Sequence, residues 1–226
     1  MNKRQIVYFL LFLSSLSYAQ EKRIVIVSPF SAVMIYSGLE VKLIPSKENK
    51  VIVYGDYQQG VIVQQKGETI KIKQSIATVI NKEFSFIEIY FNQPLFQINA
   101  YQRSKISAAE AFEQDQIAFK IREGAQLNLD LETTKVKANI STGGRLNVSG
   151  KTTYLDLKIN SGGSCEAEKL YAESVTTQVV AGGVAYVRAK KLLDANVTGG
   201  GIVRVFGKPT KLITQTTLGG KIVEVP

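Results

Sequence analysis

The stretch VKANISTGGRLNVSGKTTYLDLKINSGGSCEA, residues 136–167, contains the pattern that predicts the fold. It holds two copies of one unit, in which apolar residues at every second position lead to a Gly-Gly pair and resume after it. Alternation with a period of two is typical of a strand that buries one face. The paired glycines predict a sharp corner between two strands, because glycine adopts a positive φ without steric cost.

The same unit recurs on both sides of this stretch. Successive pairs are 19, 19, 20, 18 and 19 residues apart, and no repeat contains a helical segment. This spacing predicts an all-β fold, a parallel β-helix with about 19 residues per coil. The second residues of the pairs, which serve as reference positions, are Ala125, Gly144, Gly163, Gly183, Gly201 and Gly220.

Fixed offsets from these reference positions predict which side chains face the interior. The positions eight, six and four residues before each reference are nearly all apolar or β-branched, and those just after the corner, including Leu146 and Cys165, continue the alternation. Stacked coils would bury these side chains in one column, since each layer covers the next. The inward positions before the corners are Ile117, Phe119, Ile121, Val136, Ala138, Ile140, Leu155, Leu157, Ile159, Val175, Thr177, Val179, Leu193, Ala195, Val197, Leu212, Thr214 and Thr216.

The N-terminal part, residues 20–92, lacks this spacing and has short apolar stretches separated by turns. Lys66-Gly67-Glu68 predicts a hairpin turn, and Ser37-Gly38 and Gln59-Gly60 also carry turn glycines. We expect hairpin-type strands that pack onto or continue the first coils and cap an open end of the helix. No linker rich in Gly, Ser or Pro separates this part from the coils of residues 93–226, which predicts a single domain from residue 20 onward.

The first 19 residues have the pattern of a secretory signal peptide. Lys3 and Arg4 give a positive start, residues 6–16 form an apolar run, and Ser17-Tyr18-Ala19 supplies a cleavage site with small residues. The run is shorter than the roughly 20 apolar residues that span a bilayer. We therefore expect an exported protein without a transmembrane segment after cleavage, located in the periplasm, at the cell surface or outside the cell. A retained N-terminal anchor or a buried strand is the alternative for these residues.

The composition limits the chemistry. The 226 residues carry a formal net charge of +9, one cysteine, Cys165, and no histidine. Histidine-dependent triads, histidine-ligated zinc sites and intramolecular disulfides are thereby excluded. A basic chain suits nucleic acid, anionic lipid or acidic glycan, and export makes nucleic acid the least favoured partner. No cofactor or metal site is predicted, and Cys165 is expected to be a small buried hydrophobe.

A carbohydrate-active enzyme, either a polysaccharide lyase or a hydrolase acting on a β-helix face, is the alternative function. Glycosidases use two carboxylates about 5–10 Å apart. Asp156 and Asp194 share the column seven positions before the reference, with Thr176 between them, which predicts a separation of about 10 Å. We interpret this column as a solvated face with cross-strand charge pairing and assign no catalytic residue.

Two sets of polar residues are candidates for a ligand-binding face. One is an outward-facing ladder five positions before each reference, suited to sugar hydroxyls. The other is a basic group interleaved with Tyr171, Tyr186 and Phe206, suited to an anionic glycan or protein. The ladder is Asn139, Lys158, Gln178, Asn196 and Gln215, and the basic group is Arg188, Lys190, Lys191, Arg204, Lys208, Lys211 and Lys221.

In three features the sequence resembles the putative auto-transporter adhesin head GIN domain family, whose members are exported proteins common in Bacteroidota. The likeness extends from about Phe30 to Val225 and implies a right-handed single-stranded β-helix with no catalytic residue. The features are Pro94-Leu95-x-x-Ile98, the Ser/Thr-Gly-Gly corners at Ser141, Ser161 and Thr198, and Gly207-Lys208-Pro209.

The leading hypothesis from the sequence is an exported, non-enzymatic β-solenoid protein. It would be adhesin-like, or a binding or scaffold protein of the cell envelope, with a glycan or a protein as partner. A purely structural envelope protein without a soluble ligand is a third possibility, next to the carbohydrate-active enzyme.

Overall fold

A computed structural model of the protein describes residues 22–55, 58–75 and 85–226. The predicted signal peptide lies outside these residues. The described chain is all-β, and most of its strands stack in parallel as layers of a β-solenoid, as predicted. The strands are β1 Lys22–Ile26, β2 Ala32–Ile35, β3 Glu40–Pro45, β4 Lys50–Tyr54, β5 Val61–Lys66, β6 Thr69–Gln74, β7 Phe86–Phe91, β8 Gln97–Ala100, β9 Lys105–Ala108, β10 Phe112–Ile121, β11 Gln126–Ile140, β12 Arg145–Ile159, β13 Ser164–Val180, β14 Val184–Thr198, β15 Ile202–Phe206, β16 Lys211–Thr217 and β17 Lys221–Val225.

The long strands β11 to β14 each run from one corner to the next. Apart from bulges, their residues pair with counterparts about one repeat away, so Leu127 in β11 lies opposite Leu146 in β12, and Leu146 lies opposite Cys165 in β13. The pairing is parallel throughout β10 to β17. Because the side-chain period of a strand is two, this register keeps all inward positions on one face.

The two glycines of a corner are required for different reasons. After β11, the carbonyl oxygen of Ser141 accepts a hydrogen bond from the Gly144 N–H at 3.0 Å. Thr142 and Gly143 have φ angles of 51° and 71°, as in a type I′ turn. Gly144 has no positive φ, but a Cβ there would lie 2.5 Å from the backbone oxygen of Ile121 in the preceding layer. The first glycine therefore makes the turn, and the second allows the layers to approach.

Hydrogen bonds also join the corners to one another along the solenoid axis. The N–H of the second turn residue donates to the carbonyl of the first turn residue in the next layer, as from Gly143 to Ser161 at 3.2 Å and from Gly162 to Ala181 at 3.1 Å. The same type of bond joins Gly38 to the next corner. The corners thus form a hydrogen-bonded edge that fixes each layer against its neighbours.

The interior is a column of apolar side chains that runs through the layers. Leu146, Leu157 and Cys165 are 1%, 0% and 0% exposed, which confirms the predicted inward face. Leu157 lies between Ala138 and Thr177 of the adjacent layers. Full burial of such a leucine contributes roughly 1.5–3 kcal/mol, so each layer depends on the next for its stability.

The layer formed by β16 and β17 departs from the predicted burial. Leu212, Thr214 and Thr216 occupy inward positions, yet all three are exposed, Leu212 by 39%. Strand β16 pairs in register with β14, and no described strand lies on its other side. The prediction of burial is wrong for these residues because a solenoid side chain is buried only where layers lie on both sides of it.

The N-terminal part contains solenoid layers, which confirms the prediction that some of its strands continue the first coils although they lack the 19-residue spacing. Strand β2 pairs in parallel with both β6 and β8, and β3 pairs in parallel with both β7 and β9. Ser37 and Gly38 between β2 and β3 have φ angles of 63° and 70°, like the later corners. The turn predicted at Ser37-Gly38 is therefore a solenoid corner, and β2 and β3 continue the coils.

Antiparallel strands complete the N-terminal part. The hairpin predicted at Lys66-Gly67-Glu68 is confirmed, because β5 and β6 pair antiparallel with Lys66 opposite Thr69. Strand β4 lies antiparallel between β1 and β7. Gln59-Gly60 falls in a short 3-10 turn before β5. The antiparallel strands therefore flank the layer of β6 and β7, where the regular coils give way to other pairings.

The buried thiol of Cys165 gives a first testable prediction. Burial, with smaller contributions from Glu168 and Glu166, raises the pKa of Cys165 above that of a free cysteine. Less reactive thiolate is then present at any given pH, and the reagent cannot reach the sulfur. We expect iodoacetamide at pH 8 to label native protein at least about 100-fold more slowly than guanidinium-unfolded protein. Equal labelling rates would contradict the packing of Cys165 between layers.

Candidate functional site

The predicted polar ladder is one continuous column on the outside of the solenoid. Strand pairing brings Asn139 opposite Lys158, Lys158 opposite Gln178, Gln178 opposite Asn196, and Asn196 opposite Gln215. All five side chains are exposed. Because neighbouring strands are about 4.8 Å apart, the column offers a polar group at each such step along the axis.

Part of this ladder lines a surface cleft of about 570 Å³. Asn139, Lys158 and Gln178 lie in its wall, whereas Asn196 and Gln215 do not. These last two amides are instead joined to each other, with Asn196 Nδ2 donating to Gln215 Oε1 at 3.4 Å. The structure thus divides the ladder into three residues that line the cleft and two that lie outside it.

Two cations that the sequence analysis did not select also line the cleft. Lys120 pairs with Asn139 and therefore extends the column by one layer, and Arg122, which directly follows the end of β10 at Ile121, also lines the cleft. Asn160 completes the polar lining on the layer of Lys158. Lys120 stands five positions before Ala125, so the offset that identified the ladder would have found it.

The electrostatic character of this cleft is basic. Lys120, Arg122 and Lys158 contribute three positive charges, and none of the lining residues is a carboxylate. Among the residues that the structure describes, none of these three cations forms a salt bridge. No carboxylate of the lining neutralises these charges, so they are available to an anionic ligand.

The structure brings Arg188, Lys190 and Lys208 of the predicted basic group to one small cleft, and Lys190 and Lys191 are already paired. Lys190 and Lys191 lie 3.3 and 2.9 Å from the carboxylate oxygens of Glu173. Hydrogen bonding from Lys191 lowers the pKa of Glu173, and the same bond raises the pKa of Lys191. Lys208 lies near Lys190 along a small cleft of about 220 Å³, which Arg188 also lines.

The arginines of this group stack on aromatic rings. The Arg188 guanidinium lies 5.2 Å from the ring centre of Tyr171 and 5.8 Å from that of Phe206, and its Nε donates to the Glu168 carbonyl at 2.7 Å. Arg204 lies 5.7 Å from the ring of Tyr186. Such cation–π contacts hold the arginines in place. The interleaving of aromatic and basic residues is explained by these internal contacts.

The arrangement of the two aspartates offers little to the enzyme hypothesis. Asp156 and Asp194 each lie opposite Thr176, two strand spacings or about 10 Å apart. Asp156 lines a depression of about 500 Å³ with Asp115 and Lys135, and Asp194 is not part of its lining. Within residues 22–55, 58–75 and 85–226, no three acidic or thiol groups converge on a point where a metal ion could bind.

Solved structures with the same architecture come from species of Bacteroides and Parabacteroides. The chain is similar to a putative adhesin from Bacteroides fragilis NCTC 9343, with a TM-score of 0.82 and 18% identity over 92% of this chain and 98% of that chain. A putative adhesin from Parabacteroides merdae ATCC 43184 has a TM-score of 0.73 and 15% identity over 93% and 98% of the two chains. A putative lipid binding protein from Parabacteroides distasonis ATCC 8503 has a TM-score of 0.68 and 16% identity over 93% and 98%. At these identities the likeness establishes the fold alone.

Three further observations bear on the assignment. No curated protein is significantly similar to the chain. In the part of the chain that the structure describes, no helix has the length and apolarity needed to cross a bilayer. The profile of one family matches residues 29–209, which is most of the sequence. The chain belongs to the family of the putative auto-transporter adhesin, head GIN domain.

Proposed function

We propose that this protein is an exported, non-enzymatic binding protein of adhesin type, whose ligand is a glycan or a protein of the cell envelope. The observation that carries the proposal is the cleft, in which Asn139, Lys158 and Gln178 stand in register on consecutive strands. Membership of an adhesin family supports a binding role. Export rests on the pattern of residues 1–19, and the periplasm, the cell surface and the medium are all compatible with it.

The physical argument for binding is preorganisation. The strands that carry the cleft residues are held by the packed interior and by the corner hydrogen bonds, so little conformational freedom is lost when a ligand binds. Amide groups donate and accept hydrogen bonds, as sugar hydroxyls do. A ligand with a regular repeat can therefore make the same contact on successive layers. The lining of amides and cations lacks the pair of carboxylates that most glycosidases use for bond cleavage, which favours binding over hydrolysis.

The ladder itself supplies a matched pair of variants for a test. We expect Asn139→Ala/Gln178→Ala to weaken binding to glycans retained on an array by about 30-fold, since each of the two lost hydrogen bonds is worth about 1 kcal/mol. Asn196→Ala/Gln215→Ala removes the same residue types from the same column outside the cleft and should change affinity by less than about twofold. Array binding followed by calorimetry measures both.

Two outcomes would contradict the proposal. Equal effects of the two double variants would mean that the cleft is not the binding site. Release of reducing ends from an acidic polysaccharide, abolished by Asp156→Asn, would replace the binding role with the enzyme alternative. If the protein only binds, the chain length of the glycan stays unchanged after incubation with the protein.

A further inference from the structure

The cleft-lining column alternates between cations and amides. In order along the axis it reads Lys120, Asn139, Lys158 and Gln178, each opposite the next on neighbouring strands. The lysines are thus two strand spacings apart, about 10 Å, with an amide midway between them. A ligand that matches this surface carries a negative charge at every second step and a neutral polar group at the steps between.

We infer that the ligand is an acidic polysaccharide in which charged and neutral sugars alternate, lying along the solenoid axis over this column. The inference rests on the proposed function and specifies the ligand class of the same cleft. In such a polymer the carboxylates recur on every second sugar, and the repeat of one sugar in an extended chain is close to one strand spacing. The carboxylates then meet Lys120 and Lys158, and the neutral sugars meet Asn139 and Gln178.

A second row of the cleft supports an anionic ligand. Arg122 directly follows the end of β10, which carries Lys120, and Asn160 directly follows the end of β12, which carries Lys158, so the cleft has an additional donor close to each lysine in sequence. The planar guanidinium of arginine can bind a carboxylate through two parallel hydrogen bonds. With no carboxylate in the lining, the ligand is the source of the negative charge that would neutralise these cations.

The other basic group is less suited to this role. Lys190 and Lys191 already share Glu173, and a ligand carboxylate would have to compete with that side chain. Arg188 is stacked between two rings. This group therefore provides a control in which the same number of charges is removed elsewhere on the surface.

The experiment compares two triple variants on three polymers by calorimetry. Lys120→Gln/Arg122→Gln/Lys158→Gln removes the cleft cations, and Lys190→Gln/Lys191→Gln/Lys208→Gln is the charge-matched control. The polymers are hyaluronan, which alternates acidic and neutral sugars, polygalacturonate, which is acidic at every sugar, and dextran, which is neutral. Circular dichroism verifies the fold, and the single variant Lys158→Gln provides a second test of the cleft.

The expected order of affinities is specific. Wild-type protein should bind hyaluronan at least about tenfold more tightly than polygalacturonate, and more weakly as salt is raised. The cleft variant should lose about 100-fold in affinity and Lys158→Gln about fivefold, while the control variant should lose less than about threefold. Dextran should not bind to the cleft and should not reduce the binding of hyaluronan.

Three results would overturn the inference. Binding of dextran that depends on Asn139 and Gln178, without binding of hyaluronan, would leave the proposed function in place and refute the acidic ligand. A larger loss in the Lys190 control variant than in the cleft variant would assign the anion to the other basic group. Binding to phosphatidylglycerol vesicles, lost with the cleft cations and not competed by hyaluronan, would assign them to a lipid surface.

Discussion

Leu157→Asp will leave the protein without a folded solenoid. Leu157 is completely buried at the centre of the stack, between Ala138 and Thr177 of the layers on either side. The substitution removes roughly 1.5–3 kcal/mol of apolar burial and places an unpaired carboxylate in the interior at a further cost of several kcal/mol. A domain of this size has a total stability of about 5–15 kcal/mol. The free energy lost through the substitution is therefore comparable to the total free energy of unfolding.

Far-ultraviolet circular dichroism and a thermal melt would measure this effect. Lys158→Asp is the matched control, because it introduces the same carboxylate one residue further along the strand, where the side chain points to water. We expect Lys158→Asp to retain the strand spectrum and to melt within a few degrees of the wild type. A soluble Leu157→Asp protein with an unchanged spectrum and melting temperature would refute the inward assignment.

Gly144→Ala will destabilise the protein more than Gly143→Ala, although the two glycines are adjacent. A Cβ at Gly144 would lie 2.5 Å from the backbone oxygen of Ile121, which cannot rotate away, so the layers must separate. We expect a loss of about 3 kcal/mol or more in the free energy of unfolding. A Cβ at Gly143 meets nothing within 4 Å, and only its φ of 71° opposes alanine, at a cost of about 1–2 kcal/mol.

A second glycine in the next corner gives a graded control. A Cβ at Gly163 would lie 3.0 Å from the Ile140 side chain and 3.1 Å from its carbonyl oxygen, which a small shift can relieve. Guanidinium unfolding should therefore rank the losses as Gly144→Ala above Gly163→Ala. If Gly143→Ala proved the most damaging of the three, the close approach of layers would not be the reason for the second glycine.

The C-terminal coils were predictable because their signals are redundant. Alternation, glycine pairs and spacing all agree over five corners, so no single position decides the outcome. The layer of β2 and β3 has the same corner at Ser37 and Gly38, but its neighbours β6 and β8 begin 37 and 65 residues after β2 (69 − 32 and 97 − 32). A search for one fixed spacing cannot detect layers whose paired strands are separated by such different numbers of residues along the sequence.

The candidate site was predictable to the same extent as the register. The offset that identified Asn139, Lys158 and Gln178 also holds for Lys120, which was missed only because the column was started one layer too late. The ion pairs of Lys190 and Lys191 with Glu173 could not be predicted from fixed offsets. They occur where the register between β13 and β14 shifts, and a fixed offset fails at a bulge.

The stacking order of the N-terminal layers has a consequence for how the chain assembles. Strands β2 and β3 leave the ribosome early, yet they lie between layers whose residues are made much later. The C-terminal coils need only a neighbour one repeat away, so their loop-closure entropy is low and their nucleation is fast. We therefore expect folding to begin in the C-terminal coils and to spread towards the N-terminus, with β2 and β3 remaining unfolded until β8 and β9 offer them an edge.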